Sequence, residues 1–126
     1  MSYRNVDIYK ITFDLFLKPH KASLLLPKYE LFELGSQLRR SSDSVITNIV
    51  EGYGRSTYYR NDCIRFLIYS HASNDETINH LGKIIILYPD FSSEFETLRN
   101  EYNTLGGKIN IYKKWVIENW NKNNLQ

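Results

Sequence analysis

The chain has 126 residues, 42% hydrophobic and 24% charged. That balance fits one soluble domain spanning residues 1–126 with a real core, and it excludes a disordered chain. The net charge of +2 is too small by itself to argue for a nucleic-acid partner. With Cys63 the only cysteine, an intrachain disulfide is excluded. No apolar run approaches the ~20 residues of a spanning helix. The polar N-terminus lacks the apolar stretch of a signal peptide, so the expected location is the cytoplasm, without a membrane.

Breaks at Pro27, at Gly52, Gly54 and Ser56, and at Pro89-Asp90 divide the chain into four segments. Helices are predicted over about 6–26, 28–53, 57–87 and 93–120. In the first, Ile8, Ile11, Leu15, Ala22 and Leu25 share a face, and Tyr9, Phe13, Phe16 and His20 form a second strip. Pro19 removes the bond to the Leu15 carbonyl and predicts a kink rather than an end. The second places Leu31, Leu34, Leu38, Val45, Ile49 and Gly52 together, with Gly52 expected just past the helix end at positive φ. The third has the seam Cys63, Leu67, Ser70, Asn74, Thr77, Leu81, Ile84 and Tyr88, whose small polar middle lets a neighbouring helix approach closely. The fourth steps alternately by three and four residues through Phe95, Leu98, Tyr102, Leu105, Ile109, Tyr112 and Val116. That seam outweighs Gly106-Gly107, so the helix is predicted to run through. Short connections make neighbours antiparallel, which predicts an all-α, up-down-up-down four-helix bundle.

The second segment contains Ser36-Gln37-Leu38-Arg39-Arg40, Ser44, Asn48-Ile49, Glu51-Gly52 and Gly54-Arg55. This pattern resembles the signature of the four-helix bundle proteins of bacterial 23S rRNA intervening sequences, which reads roughly SQLRRAAxSIxxNIAEGxGR. Ser41-Ser42 stand in place of the usual alanine pair, Val45 in place of isoleucine and Val50 in place of alanine. Leu26-Pro27-Lys28 with Glu30, and Phe66-Leu67 followed by Ser73 and Glu76, extend the likeness over most of the chain. Pro19 and the polar run Ser70 to Asp75 are less typical. The resemblance implies a ring-like homopentamer, kinship with the RNA-binding accessory proteins of diversity-generating retroelements, and no catalytic activity.

Gln37, Ser41, Ser44, Asn48 and Glu51 form a polar stripe beside the apolar seam of the second helix. Two uses fit it, a binding surface or a buried network that fixes helix register, and the second is the stronger expectation. Antiparallel pairing predicts that Arg40 or Gln37 meets Glu76. His71/Asp75 and Glu76/His80 have the i,i+4 spacing of a metal pair, but that spacing is common on exposed helices. No Glu-x-x-His motif occurs, and nothing marks a nucleophile. No metal, cofactor or enzyme activity is expected.

The predicted topology gathers charge. One end collects Arg4, Lys10, Arg55, Arg60, Arg65, Lys113, Lys114 and Lys122 against Asp7, Glu51, Asp62 and Glu118. The other holds Lys21, Lys28 and Lys83 against Glu30, Glu33, Asp90, Glu94 and Glu96. A concentrated basic face attracts phosphate backbones. Arg55, Arg60, Lys113 and Lys114 are the candidate phosphate contacts, with Arg39 and Arg40 ranked below for internal use. Tyr58 and Tyr59 are candidate stacking partners for unpaired bases. The expected partner is RNA or a nucleic-acid-associated protein; the competing expectation is a protein-interaction scaffold that binds no nucleic acid.

Overall fold

A computed structural model describes residues 7–55 and 58–123, with side chains as far as 119. Its principal elements are α1 (Asp7–Ala22), α2 (Leu34–Gly54), α3 (Arg60–Leu87) and α4 (Ser92–Asn123), joined by short 3-10 helices, with no strand among the described residues. The principal contacts run α1–α2, α2–α3, α3–α4 and α4–α1, which closes the four helices around a shared core.

The fourth-helix seam buries as its period dictates. Phe95, Tyr102, Ile109 and Val116 are fully enclosed, Leu98 and Leu105 nearly so, and Tyr112 packs partly against them. Each fully buried large side chain contributes about 1.5–3 kcal/mol. That exceeds the roughly 1 kcal/mol each glycine costs in a helix, and α4 passes through Gly106-Gly107 unbroken. Gly106 also has a packing role. A Cβ there would lie 3.0 Å from Asn74 Nδ2, the nitrogen that donates to the Tyr102 carbonyl at 2.8 Å. A bare backbone lets α3 reach the carbonyl ladder of α4.

The centre of the α2–α3 contact is polar and small, as the α3 seam predicts. Ser70 Oγ donates to the Val45 carbonyl at 2.7 Å, Ser44 Oγ meets Ser73 Oγ at 2.8 Å, and Thr77 Oγ1 donates to Ser41 Oγ at 2.9 Å. Contact residues on α2 fall in number as those on α3 rise, the register of antiparallel neighbours. On α3 and α4 the same reversal links Asn74 with Tyr102 and His71 with Asn110. These contacts are consistent with the up-down arrangement expected from the short connections.

The α1–α2 connection departs from the predicted helix limits. The α-helix passes Pro19 but ends at Ala22; Ser23–Leu25 and Lys28–Phe32 are 3-10 turns, and α2 begins only at Leu34. Long-range bonds explain the difference. Arg39 Nη1 donates to Ser23 Oγ at 2.9 Å and Nη2 to the Leu31 carbonyl at 2.6 Å. Glu30 is buried and accepts from Tyr88 Oη and from the Leu34 amide. Tyr29 and Tyr88 hydroxyls meet at 2.9 Å. A straight helix through 23–33 would forgo these bonds.

Gly52 also differs from its expected place. It lies inside the last turn of α2, without positive φ, and its backbone faces α3: a Cβ would sit 3.2 Å from the Cys63 carbonyl and 3.3 Å from Phe66 Cβ. The glycine serves close approach of two helices, not a left-handed cap.

Candidate nucleic-acid interface

The end of α2, the start of α3 and the end of α4 meet at one pole. Arg60, the first residue of α3, donates from Nη2 to the Ile117 carbonyl of α4 at 3.4 Å. One turn before Ile117 stand Lys113, half-buried, and Lys114, exposed. Among the described residues no carboxylate pairs with Arg60, Lys113 or Lys114. Tyr58 and Tyr59 are 81% and 60% exposed, their rings 6.4 Å apart and edge-to-face. Arg4 and Lys122, counted at this end from the sequence, lie outside the described side chains.

Arg55 is occupied differently. Its guanidinium pairs with Glu51 at 2.7 Å, donates to the Glu51 carbonyl at 2.8 Å and lies 4.4 Å above the Phe66 ring. Glu51, Gly52 and Arg55 therefore act together. The glycine admits Phe66, the arginine covers its ring, and the glutamate holds the arginine. Arg65 is likewise paired with Asp62 at 2.7 Å. Between them lies an open depression of about 420 Å³ lined by Val50, Glu51, Gly54, Arg55, Tyr59 and Asp62. Its two carboxylates are those held by Arg55 and Arg65, which leaves little net charge there for a phosphate. Arg60, Lys113 and Lys114 are not among its lining residues.

The polar stripe of α2 divides. Ser41 is buried, while Ser44 and Asn48 are half-buried at the α3 contact, where Asn48 Nδ2 donates to the Ser44 carbonyl and hydroxyl. Gln37, Arg40 and Glu51 are exposed. The expected meeting of Gln37 or Arg40 with Glu76 does not occur. The Glu76 side chain is 59% exposed and faces His80 Nε2 at 3.3 Å on its own helix. Serine and threonine hydroxyls reach across the interface instead, because the close approach of the helices leaves no room for long polar chains. The internal role falls to Arg39, one of the two arginines expected to be used internally, whereas Arg40 is exposed. The burial of Glu30, counted from the sequence among the charges of the opposite end, was unforeseen.

No group of three or more His, Cys, Asp or Glu is placed to hold a metal among the described residues. His71 Nδ1 lies 3.5 Å from Asp75 and His80 Nε2 3.3 Å from Glu76, each a single local pair. Burial pushes the Cys63 thiol up to about 11, so thiolate is scarce near neutrality. A thiol reagent at mildly alkaline pH is expected to label Cys63 only after denaturant unfolds the chain. Rapid labelling of the folded protein, followed by absorbance, would show the α2–α3 junction to be open.

These features define a class: an all-α protein of four helices with a hydroxyl-lined internal contact, an arginine-braced turn and no clustered metal-ligating groups among its described residues. Residues 4–111 match the family described as 23S rRNA-intervening sequence protein, and the chain belongs to that family. No curated protein matches the chain. No helix among the described residues is long and apolar enough to cross a membrane.

Proposed function

We propose that this protein is a non-catalytic, cytoplasmic RNA-binding protein, built as one up-down-up-down bundle and assembled as a homo-oligomer, by family resemblance a pentamer. The observation that carries the reading is the set Arg60, Lys113 and Lys114, free of carboxylate partners among the described residues and next to the exposed rings of Tyr58 and Tyr59. Cations supply sequence-independent attraction to phosphates, and aromatic rings accept unpaired bases. Self-association is supported by Phe13 and Leu17 on α1 and Ile111 and Trp115 on α4, all exposed apolar side chains. Arg55 contributes by shaping the pole through Phe66 rather than by meeting phosphate.

The test is a fluorescence titration of structured and single-stranded RNA at two salt concentrations, with light scattering on the same samples. The wild type is expected to bind in a salt-sensitive way and to scatter as a pentamer. Combined Arg60→Glu, Lys113→Glu and Lys114→Glu is expected to weaken binding at least about tenfold. Absence of binding at low salt would leave a protein-interaction scaffold, a reading favoured by the internal use of Arg39, Glu51 and Arg55. A monomeric mass would remove the ring.

A further inference from the structure

The cations of the basic pole also lie along the edge of the α3–α4 contact, which continues away from that pole. On α4, Gly106, Asn110, Lys113 and Ile117 follow one another at steps of four, three and four residues, the spacing of one helical stripe. The stripe is tied to α3 at both ends. Arg60 Nη2 donates to the Ile117 carbonyl at 3.4 Å, and Asn110 Nδ2 meets His71 Nε2 at 3.1 Å. A Cβ on Gly106 would lie 3.6 Å from that same imidazole nitrogen. Lys113 therefore stands between the two ties, with Lys114 beside it. On α3 the half-buried Ile64 lies between Arg60 and His71, with the exposed Ile68 next to it. At 1.5 Å per residue, Asn110 to Ile117 spans ~10 Å, room for more than one phosphate.

The bonds of His71 define its proton. An amide nitrogen only donates, so Asn110 makes Nε2 the acceptor and leaves the ring proton on Nδ1, which faces Asp75 Oδ2 at 3.5 Å. The charged groups facing the ring are few: Asp75 on its own helix, and Lys113 and Lys114 one turn along α4. The Asp75 side chain is 65% exposed, so water screens much of its charge. Protonation converts Nε2 from acceptor to donor. The Asn110 amide nitrogen then loses its partner, and a cationic N–H stands at the groove edge in line with Lys113 and Arg60. Imidazole is the side chain that makes this change between pH 5 and 8.

We infer that the RNA site extends from the pole along the α3–α4 groove as far as His71, whose protonated ring contacts phosphate, so that RNA binding strengthens as pH falls. The inference rests on the RNA-binding function proposed above. Bound phosphate favours the charged ring, so binding takes up a proton. Affinity rises as pH falls through the range of imidazole and levels off below it. Arg60, Lys113 and Lys114 keep their charge throughout and hold RNA at neutral pH.

The test uses the full chain and two labelled RNAs, an oligouridylate and a hairpin of Watson–Crick pairs with a uridine loop, whose bases take up no proton in this range. Fluorescence anisotropy at pH 7.5 and 5.5, at one low salt concentration, is expected to show wild type binding at least about fivefold more tightly at the lower pH. His71→Gln keeps an oxygen that accepts from Asn110. It is expected to reduce the gain to less than about twofold and to leave binding at pH 7.5 nearly unchanged. His20→Gln, on exposed α1 surface, is expected to retain the gain. Ile68→Glu is expected to weaken binding about fivefold at both pH values, and Ile68→Gln to have little effect. Melting curves at both pH values verify the fold of each variant. A full gain in His71→Gln, a gain abolished by His20→Gln, or binding indifferent to Ile68→Glu would overturn the inference. Binding at pH 7.5 that still falls on reversing Arg60, Lys113 and Lys114 would then leave the proposed function standing without it. Absence of binding at both pH values would remove both.

Discussion

Gly52→Val is expected to destabilise the protein by about 3 kcal/mol, read as a lower urea midpoint at unchanged slope. A Cβ at this position already comes within 3.2 Å of the Cys63 carbonyl and 3.3 Å of Phe66 Cβ. The first of these is backbone, which cannot rotate away. Two further methyl carbons must push α2 and α3 apart, and that loosens Arg55 from the Phe66 ring and the hydroxyl contacts farther along the interface. Gly52→Ala is the informative control. Its added methyl requires a shift of only a few tenths of an ångström, while alanine gains about 1 kcal/mol of helix propensity over glycine. The net change is expected within about 1 kcal/mol. A valine variant as stable as wild type would show that the helices do not approach closely here.

Arg39→Ala is expected to cost about 2–3 kcal/mol and to speed amide exchange over residues 23–33. The substitution removes donors to both Ser23 Oγ and the Leu31 carbonyl, and the carbonyl is left without the partner that fixes its turn. Arg39→Lys is expected to lie between wild type and alanine, because a single ammonium cannot reproduce the fork that spans both acceptors. Arg40→Ala, one residue along and exposed, is expected to change stability by less than about 0.5 kcal/mol. Equal effects at Arg39 and Arg40 would mean that the brace contributes nothing.

Much of the helical layout was legible because periodicity reports burial directly. The α4 residues from Phe95 to Val116 repeat at helical spacing and are the residues the core encloses. The α3 seam revealed even its polar middle, since Ser70, Asn74 and Thr77 keep the same spacing as Leu67 and Leu81 and are fully buried with them. The α1–α2 connection was not legible. Residues 23–32 have enough apolar character to extend a helix, and what turns them into two 3-10 segments is a guanidinium from Arg39 on the next helix and a hydroxyl from Tyr88, far along the chain. The candidate interface was legible in composition but not in availability. Arg55 and Arg60 look alike in the sequence, yet one lies over Phe66 and pairs with Glu51 while the other reaches only Asn61 and the Ile117 carbonyl.

The sequence alone determined the inward faces of α3 and α4, because amphipathic spacing acts within a few turns of chain. On the first segment, by contrast, Ile11 and Leu25, expected on the inner face, are exposed, and Thr12 and Pro19 are buried instead. Only the tertiary structure decided which arginine braces, which remains unpaired and which glutamate is buried. The bonds of Arg39 to Ser23 and Leu31 and of Tyr88 to Glu30 join different elements, so they depend on how those elements pack, and spacing along the chain does not encode that distance.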